Sequence, residues 1–528
     1  MLRSHGMTDQ KAWEKACNHI APTNCLPASP NLLKSTTRTP VTISRDEKTF
    51  TEDSKSSKRA VTLRIGVFFD GTGNNAANTE LGIRCGAQFP IKSEDIEASC
   101  KPYMKSADSS YGNDYTNIKK LSDLYYDDKR RDPKDKSNLY HFPIYIEGIG
   151  TLSGEDDNLL GLGMGRGSTG VTGKVEIAFS RIKQIVNAFR LRYPDCEISN
   201  LKFDTFGFSR GAAAARHFAN QVALGNTGPM KELVKSLPSA FSTFFDERYQ
   251  YNVDVSFIGL FDTVPSIGGI DNLGYVRSAH APGLKLYLPR SLFPNVVHLV
   301  ARDEIRANFA LSRVSPDHPE YVVPGAHSDI GGGYLDQAEE CVLISPMQAL
   351  DVSLTTNVEQ TSIYKDAMDA REGWIKKGWP EDMLEIVTPP GVTLPRDSSD
   401  RYAPLKKRVY AGLQLKHIVS GALSKVYLRV MYKLAKEKGV KFNDIPNTYL
   451  FRVPEELVHI EDKFLAGDYS ITKNEDKLLM LKYIHISANW NPPSALQGNT
   501  PRTGIPIKFV NAPTSDSIRV RHPHIADT

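Results

Sequence analysis

No stretch of the sequence approaches the roughly 18 consecutive apolar residues that a membrane-spanning helix needs. Any contact with a bilayer is therefore expected to be peripheral. Met1-Leu2-Arg3-Ser4-His5-Gly6 runs into polar sequence with no apolar core behind it, so neither a secretory leader nor export by the general secretory route is expected. The six cysteines, Cys17, Cys25, Cys85, Cys100, Cys196 and Cys341, form no CxxC pair and no metal-ligand spacing. Cys85 and Cys100 flank one loop and can bridge in an oxidising compartment, but in a chain made in the cytoplasm reduced thiols are the expectation. Charge of either sign is not in excess: the net value is only +4 over 528 residues, which gives no global reason to expect nucleic acid as a partner. No internal repeat is present.

What is present is ordinary for a folded chain, with 40% hydrophobic and 24% charged residues. The length implies more than one unit. Residues 1–59 are polar, rich in Ser, Thr, Lys and Pro, and read as an N-terminal arm. From Val61 to Asp70 a buried-strand pattern appears, and short apolar runs then alternate with helical periodicity. Strands are expected at 142–147, 201–206, 253–261 and 295–300, with helices over 175–191 and 212–224. That alternation predicts an α/β class, an α/β-hydrolase-like mostly parallel sheet with helices on both faces, over residues 60–350. A mainly helical C-terminal region is expected over 351–480. The segment 481–528 is expected to return to the core, with Leu481–Ser487 as a strand.

The strongest motif is Gly207-Phe208-Ser209-Arg210-Gly211, lying between a strand and a helix of small residues. In a nucleophile elbow the serine sits on a strained turn, and flanking glycines let the neighbouring backbone pass closely. Such a serine needs a base, and the base an orienting acid. In an α/β-hydrolase the order is Ser, acid, His. Asp262, at the end of Val253–Phe261, and His327, in a glycine-rich loop, suit that order. Asp329 is an alternative acid; His217, His298 and His485 are alternative histidines with less suggestive surroundings. An oxyanion hole is expected from the Arg210 N–H together with a Gly71 or Thr72 N–H in Asp70-Gly71-Thr72-Gly73-Asn74-Asn75. The glycine-rich run 161–174 fails the phosphate-loop pattern, because residue 168 is Ser and residue 175 is Val.

Four motifs occur in order: Ile65 to Asn75, Gly207 to Gly211, Gly259-Leu260-Phe261-Asp262-Thr263-Val264, and Pro324 to Tyr334. Together they resemble the type VI secretion lipase effectors, Tle1-like branch, over roughly residues 61–350. The resemblance implies a phospholipase A with Ser209, Asp262 and His327 as its triad and no cofactor or metal. It also implies a membrane phospholipid substrate, a secretion spike protein as carrier, a cognate immunity protein, and action in the periplasm of a target bacterium. Two rival readings stay open at this stage. One is a metal-dependent phosphohydrolase using Asp70, Asp204, Asp262, His327 and Asp329. The other is a non-catalytic cargo or binding protein with a relic elbow. Finally, residues 405–438 carry many cations with Leu423, Val426, Tyr427, Val430, Met431 and Leu434 at helical spacing. Lys425, Arg429 and Lys433 are therefore candidates for binding an anionic lipid surface.

Overall fold

The computed structural model describes residues 58–84, 112–132, 134–151, 170–265, 283–395, 404–491 and 511–526. The polar arm lies almost wholly outside these residues, as do Cys17, Cys25, Cys85, Cys100 and residues 161–169 of the glycine-rich run. The first part of the described chain runs β1 (Arg59–Phe69), α1 (Ala76–Arg84), α2 (Asn117–Leu124), β2 (Leu139–Ile146), α3 (Val171–Arg192), β3 (Cys196–Phe208), α4 (Arg210–Ala223), α5 (Pro229–Ser236), β4 (Val253–Phe261) and β5 (Val296–Ala301). It continues with β6 (Leu311–Ser312), β7 (Glu320–Val323), α6 (His327–Gly331), β8 (Ala338–Leu343), β9 (Gln348–Ser353) and α7 (Ser362–Lys376). The last part holds β10 (Leu384–Val387), β11 (Val392–Thr393), β12 (Lys406–Val419), α8 (Leu423–Glu437), α9 (Glu455–Leu465), α10 (Lys473–Lys482) and β13 (Arg521–His522).

A six-stranded sheet in the order β2-β1-β3-β4-β5-β7 forms the centre, and every pairing in it is parallel. Strands covered on both faces need apolar residues at successive positions. In β1, Leu63, Ile65, Val67 and Phe69 face one core, shared with α3 and α4. Phe68 faces the other, with Ile118 and Leu121 of α2 and Val426, Tyr427 and Met431 of α8. Helices therefore cover both faces, as the alternation of patterns predicts. Parallel strands also bring their carboxyl ends to one edge, so Asp70, Ser209 and Asp262, each next after a strand, stand side by side there.

The region expected to be helical from residue 351 is only partly so. β12, fourteen residues long, is the centre of a second, antiparallel sheet. It pairs with β8 and β9 along one edge and with β10 and β11 along the other. Val409, Ala411, Leu413, Leu415, His417 and Val419 are buried, while Lys406, Arg408, Lys416 and Ile418 are exposed. That is a period of two, the signature of a half-buried strand. The cations at its even positions look like the polar face of a helix when only charge is counted. The strand expected at 481–487 is also absent. α10 ends at Lys482, the Tyr483 and Ile484 N–H groups donate back to the Leu479 carbonyl at 2.9 Å, and the two that follow are taken by carboxylates: His485 donates to Asp329 at 3.1 Å and Ile486 to Glu340 at 3.0 Å.

The expected membrane-binding helix is a core element. Leu423, Val426, Tyr427, Val430 and Met431 of α8 are fully buried. Its candidate cations are engaged within the molecule. Lys425, only 3% exposed, pairs with Asp336 at 2.7 Å and donates to the Tyr449 carbonyl at 2.8 Å. Arg429 pairs with Glu461 at 3.3 Å, and Lys433 with Glu437 at 3.6 Å. An apolar stripe already spent on the core has nothing left to bury in lipid, so the stripe and Lys425 serve the fold, while Arg429 and Lys433 keep 31% and 45% of their side chains exposed. Lys425→Glu should accordingly destabilise the fold by about 3–5 kcal/mol, because it sets a buried carboxylate against Asp336 and a carbonyl. Denaturant unfolding measures this; unchanged stability with lost vesicle binding would restore the membrane role. Among the described residues no helix is long and apolar enough to cross a membrane.

Candidate active site

The turn from β3 into α4 places Ser209 at φ 59° and ψ −125°, a conformation that L-residues rarely adopt. The turn is held on both sides: the Ser209 N–H donates to the Phe261 carbonyl at 3.0 Å, and the Val264 N–H donates to the Ser209 carbonyl at 3.3 Å. Both partners flank Asp262, so the serine backbone is tied to the strand end that carries the acid. The glycines of the motif are required by contact. A Cβ on Gly211 would meet the Phe69 and Asp70 carbonyl oxygens at 2.3 Å, and one on Gly207 would meet the Gly211 carbonyl at the same distance.

Asp262 follows β4 at φ 44° and is completely buried. Its Oδ2 meets His327 Nδ1 at 2.5 Å. A proton on Nδ1 facing the carboxylate leaves Nε2 of the neutral ring as the basic nitrogen. His327 opens the short helix α6. Its ring packs on Phe208, the residue before the serine, at 4.6 Å between centroids, and edge-on against Phe309 at 5.1 Å. No hydrogen bond joins the Ser209 hydroxyl to His327 among the described residues; such contacts often tighten only around bound substrate.

Asp262 also carries a partner that the sequence did not reveal. Arg519 grips it with two bonds, Nη1 to Oδ1 at 2.7 Å and Nη2 to Oδ2 at 2.8 Å, while its Nε donates to the Phe309 carbonyl at 2.7 Å. The Ala301 N–H adds a further bond to Oδ1 at 3.0 Å. Burial by itself would raise the Asp262 pKa, but the Arg519 charge and the His327 contact outweigh it and hold the carboxyl well below the usual range. Burial lowers the His327 pKa in spite of Asp262, with Arg306 acting in the same direction as burial. The imidazole is thus neutral, and able to accept a proton, at ordinary pH.

Two more buried carboxylates brace the His327 loop. Glu304 pairs with Arg306 at 2.7 Å and accepts from Ser487 at 3.2 Å. Burial opposes its ionisation, but the Arg306 charge wins and brings the Glu304 pKa to about 2. Asp329 accepts the Ala326 N–H at 2.9 Å and holds His485 Nδ1 at 2.7 Å. The Tyr334 ring stacks on His485 at 3.7 Å. Arg519 and His485 both come from beyond residue 481, so the end of the chain helps to build this site.

The other candidates are engaged elsewhere. His298 accepts the Thr263 N–H at 3.1 Å, and His217 accepts the Lys285 N–H at 3.1 Å. Asp204 is bound to Arg64 at 2.7 Å and to the Tyr125 hydroxyl at 2.8 Å. Among the described residues no three His, Cys, Asp or Glu side chains are grouped as a metal ion would need, so the Asp/His set of the phosphohydrolase reading does not converge.

Asp70 lies beside the elbow and accepts from Tyr145 at 2.6 Å, Thr116 at 2.7 Å and the Gly71 N–H at 2.7 Å. The Gly71 N–H is therefore occupied, which leaves Thr72 rather than Gly71 as the expected second oxyanion donor. Burial raises the Asp70 pKa from 3.8 to about 6. Because the folded value lies above the unfolded one, the contribution to stability is full below about pH 4 and is lost as pH rises through about 6. Asp70→Asn cannot titrate. Its stability deficit against wild type should shrink by about 3 kcal/mol between pH 3.5 and pH 7. A deficit in denaturant unfolding that stays constant across that range would contradict this.

The comparisons with known proteins agree with this architecture. The family model for the catalytic domain of Tle1-like type VI secretion phospholipase effectors matches residues 225–357. That span contains Asp262 and His327 and begins after Ser209. A solved structure of the Tle1 effector bound to the VgrG spike of the type VI secretion system is 31% identical, with TM-score 0.67, over 91% of this chain and 98% of its own. A crystal structure of an uncharacterized protein from Pseudomonas aeruginosa is 17% identical over 80% of this chain and 53% of its own, with a TM-score of only 0.36. No curated protein sequence matches significantly.

Proposed function

Since the chain belongs to the Tle1-like family of type VI secretion phospholipase effectors, we propose that it is a serine phospholipase A that hydrolyses acyl esters of membrane glycerophospholipids. The observation that carries this reading is the alignment of three groups at one sheet edge: the strained Ser209 elbow, Asp262 on the adjacent strand, and His327 bound to Asp262 at 2.5 Å. In this reading Ser209 Oγ attacks the ester carbonyl as His327 Nε2 takes its proton. The Arg210 and Thr72 N–H groups receive the oxyanion. Collapse breaks the bond to the glycerol oxygen, which takes the proton from His327. Water, activated by the same imidazole, then releases the fatty acid from Ser209. Asp262 keeps the ring oriented and stabilises the imidazolium; Arg519 keeps Asp262 ionised and fixed.

The solved relative was captured on a VgrG spike. By analogy we propose a spike protein as carrier for this chain, delivery into the periplasm of a rival bacterium, and a cognate immunity protein in the producing cell. Covalent labelling tests the chemistry. A fluorophosphonate should modify the wild-type protein at Ser209 and be insensitive to chelator. Labelling confined to another residue, or activity lost with chelator, would overturn the serine mechanism.

A further inference from the structure

The residue after the nucleophile carries an unpaired buried charge. Arg210 is 1% exposed. Its Nε donates to Thr72 Oγ1 at 2.5 Å, so the guanidinium lies against the loop that follows β1. Nη1 and Nη2 are both buried and have no hydrogen-bond partner among the described residues. No nearby carboxylate offsets the burial, which lowers the Arg210 pKa to about 9. Other buried arginines of this site are paired: Arg519 with Asp262 and Arg306 with Glu304. A buried guanidinium with four N–H groups unspent is costly to the fold. Such a cost is characteristic of a group kept for a ligand.

The position defines the ligand. Arg210 begins α4, so its main chain stands at the positive end of a fourteen-residue helix. Its side chain is anchored to Thr72 of the same loop expected to hold the oxyanion. The two Nη atoms form the planar fork that suits two oxygens of one phosphoryl group. We propose that the Arg210 guanidinium receives the phosphodiester of the substrate lipid, so that one turn carries both the nucleophile and the group that selects glycerophospholipids over neutral glycerides. The proposal rests on the reading of the site as an acyl-ester hydrolase. It adds the source of headgroup-side selectivity.

The test compares a phospholipid with a diacylglycerol of the same acyl chains, each in neutral mixed micelles. The readout is the ratio of their kcat/KM values. Taking the ratio removes any effect common to both substrates, including disturbance of the Arg210 N–H, which is present in every variant. Arg210→Gln should lower the phospholipid preference about 10- to 100-fold, and Arg210→Lys should recover part of it. Glycerophosphocholine, a soluble phosphodiester, should inhibit wild type competitively and inhibit Arg210→Gln far less. An unchanged ratio in Arg210→Gln overturns the proposal, because a structural or oxyanion role lowers both rates together. Inhibition by inorganic phosphate with none by glycerophosphocholine also overturns it, since the site would then take a free anion only. If Arg210→Gln does not fold, Arg210→Lys and wild-type inhibition decide, and absence of competitive inhibition is negative. A wild type inactive on every ester refutes the hydrolase reading itself, and the proposal falls with it.

Discussion

Ser209→Ala should lose roughly four to six orders of magnitude in kcat while its thermal unfolding stays where the wild type's is. The size follows from the division of labour proposed for the site. His327 and Asp262 have no proton to move without the hydroxyl, and only the oxyanion donors and substrate binding remain. Stability should be spared because the hydroxyl makes no hydrogen bond among the described residues, and alanine adopts the strained φ of 59° no less readily than serine. His327→Ala should fall as far. Asp262→Asn should retain more turnover, because an orienting acid often costs less than the groups that exchange the proton. Turnover of a chromogenic ester and of a phospholipid should be measured for each. Near-normal rates in Ser209→Ala, or loss in His485→Ala with His327→Ala active, would contradict the assignment.

Arg519→Met should move the acid limb of the kcat/KM profile upward by roughly one to two pH units, and cut the rate at its plateau about 10- to 100-fold. The sign is set by charge. With Arg519 in place, Asp262 is shared between a guanidinium and the imidazole, and its pull on a proton at His327 is partly cancelled. Without Arg519 the full carboxylate charge acts on His327, raises its pKa, and keeps it protonated and inactive to higher pH. Arg519→Lys retains the cation and should leave the limb near its wild-type position even if the two-pronged grip is lost. Removal of the charge also leaves Asp262 with one partner fewer in a dry site, so Arg519→Met should be less stable by a few kcal/mol. A limb that does not move in an Arg519→Met protein shown to be folded would mean that Arg519 serves the fold alone.

These two residues mark the boundary of what the sequence discloses. Ser209 stands out because the elbow is local: a strand, two glycines that must admit backbone contact, and a helix of alanines lie within a few residues. Five of the six parallel strands are legible for a similar reason, since double-sided burial writes apolar runs such as Ile65 to Phe69; the four-residue edge strand β7, Glu320–Val323, is too short and too polar to show. Arg519 has no such trace. It lies 257 residues from Asp262, and nothing in its own neighbourhood distinguishes it from a solvated arginine. The second sheet was obscured by chemistry, because the cations of β12 alternate with buried residues and imitate a basic helix when they are counted together with those of α8. Lys425 misleads in the same way. Its charge is plain in the sequence, but the Asp336 carboxylate and Tyr449 carbonyl that meet it are brought there only by the fold.

The reaction proposed for this site is the cutting of acyl esters of phospholipids. Mass analysis of products from one defined phospholipid with two different acyl chains tests it most directly. A free fatty acid and a lysophospholipid should appear in equal amounts with the wild type, and neither with Ser209→Ala. Diacylglycerol, phosphatidic acid or a released headgroup as the first product would place the cut at phosphorus and contradict it, as would fatty acid release that persists in Ser209→Ala.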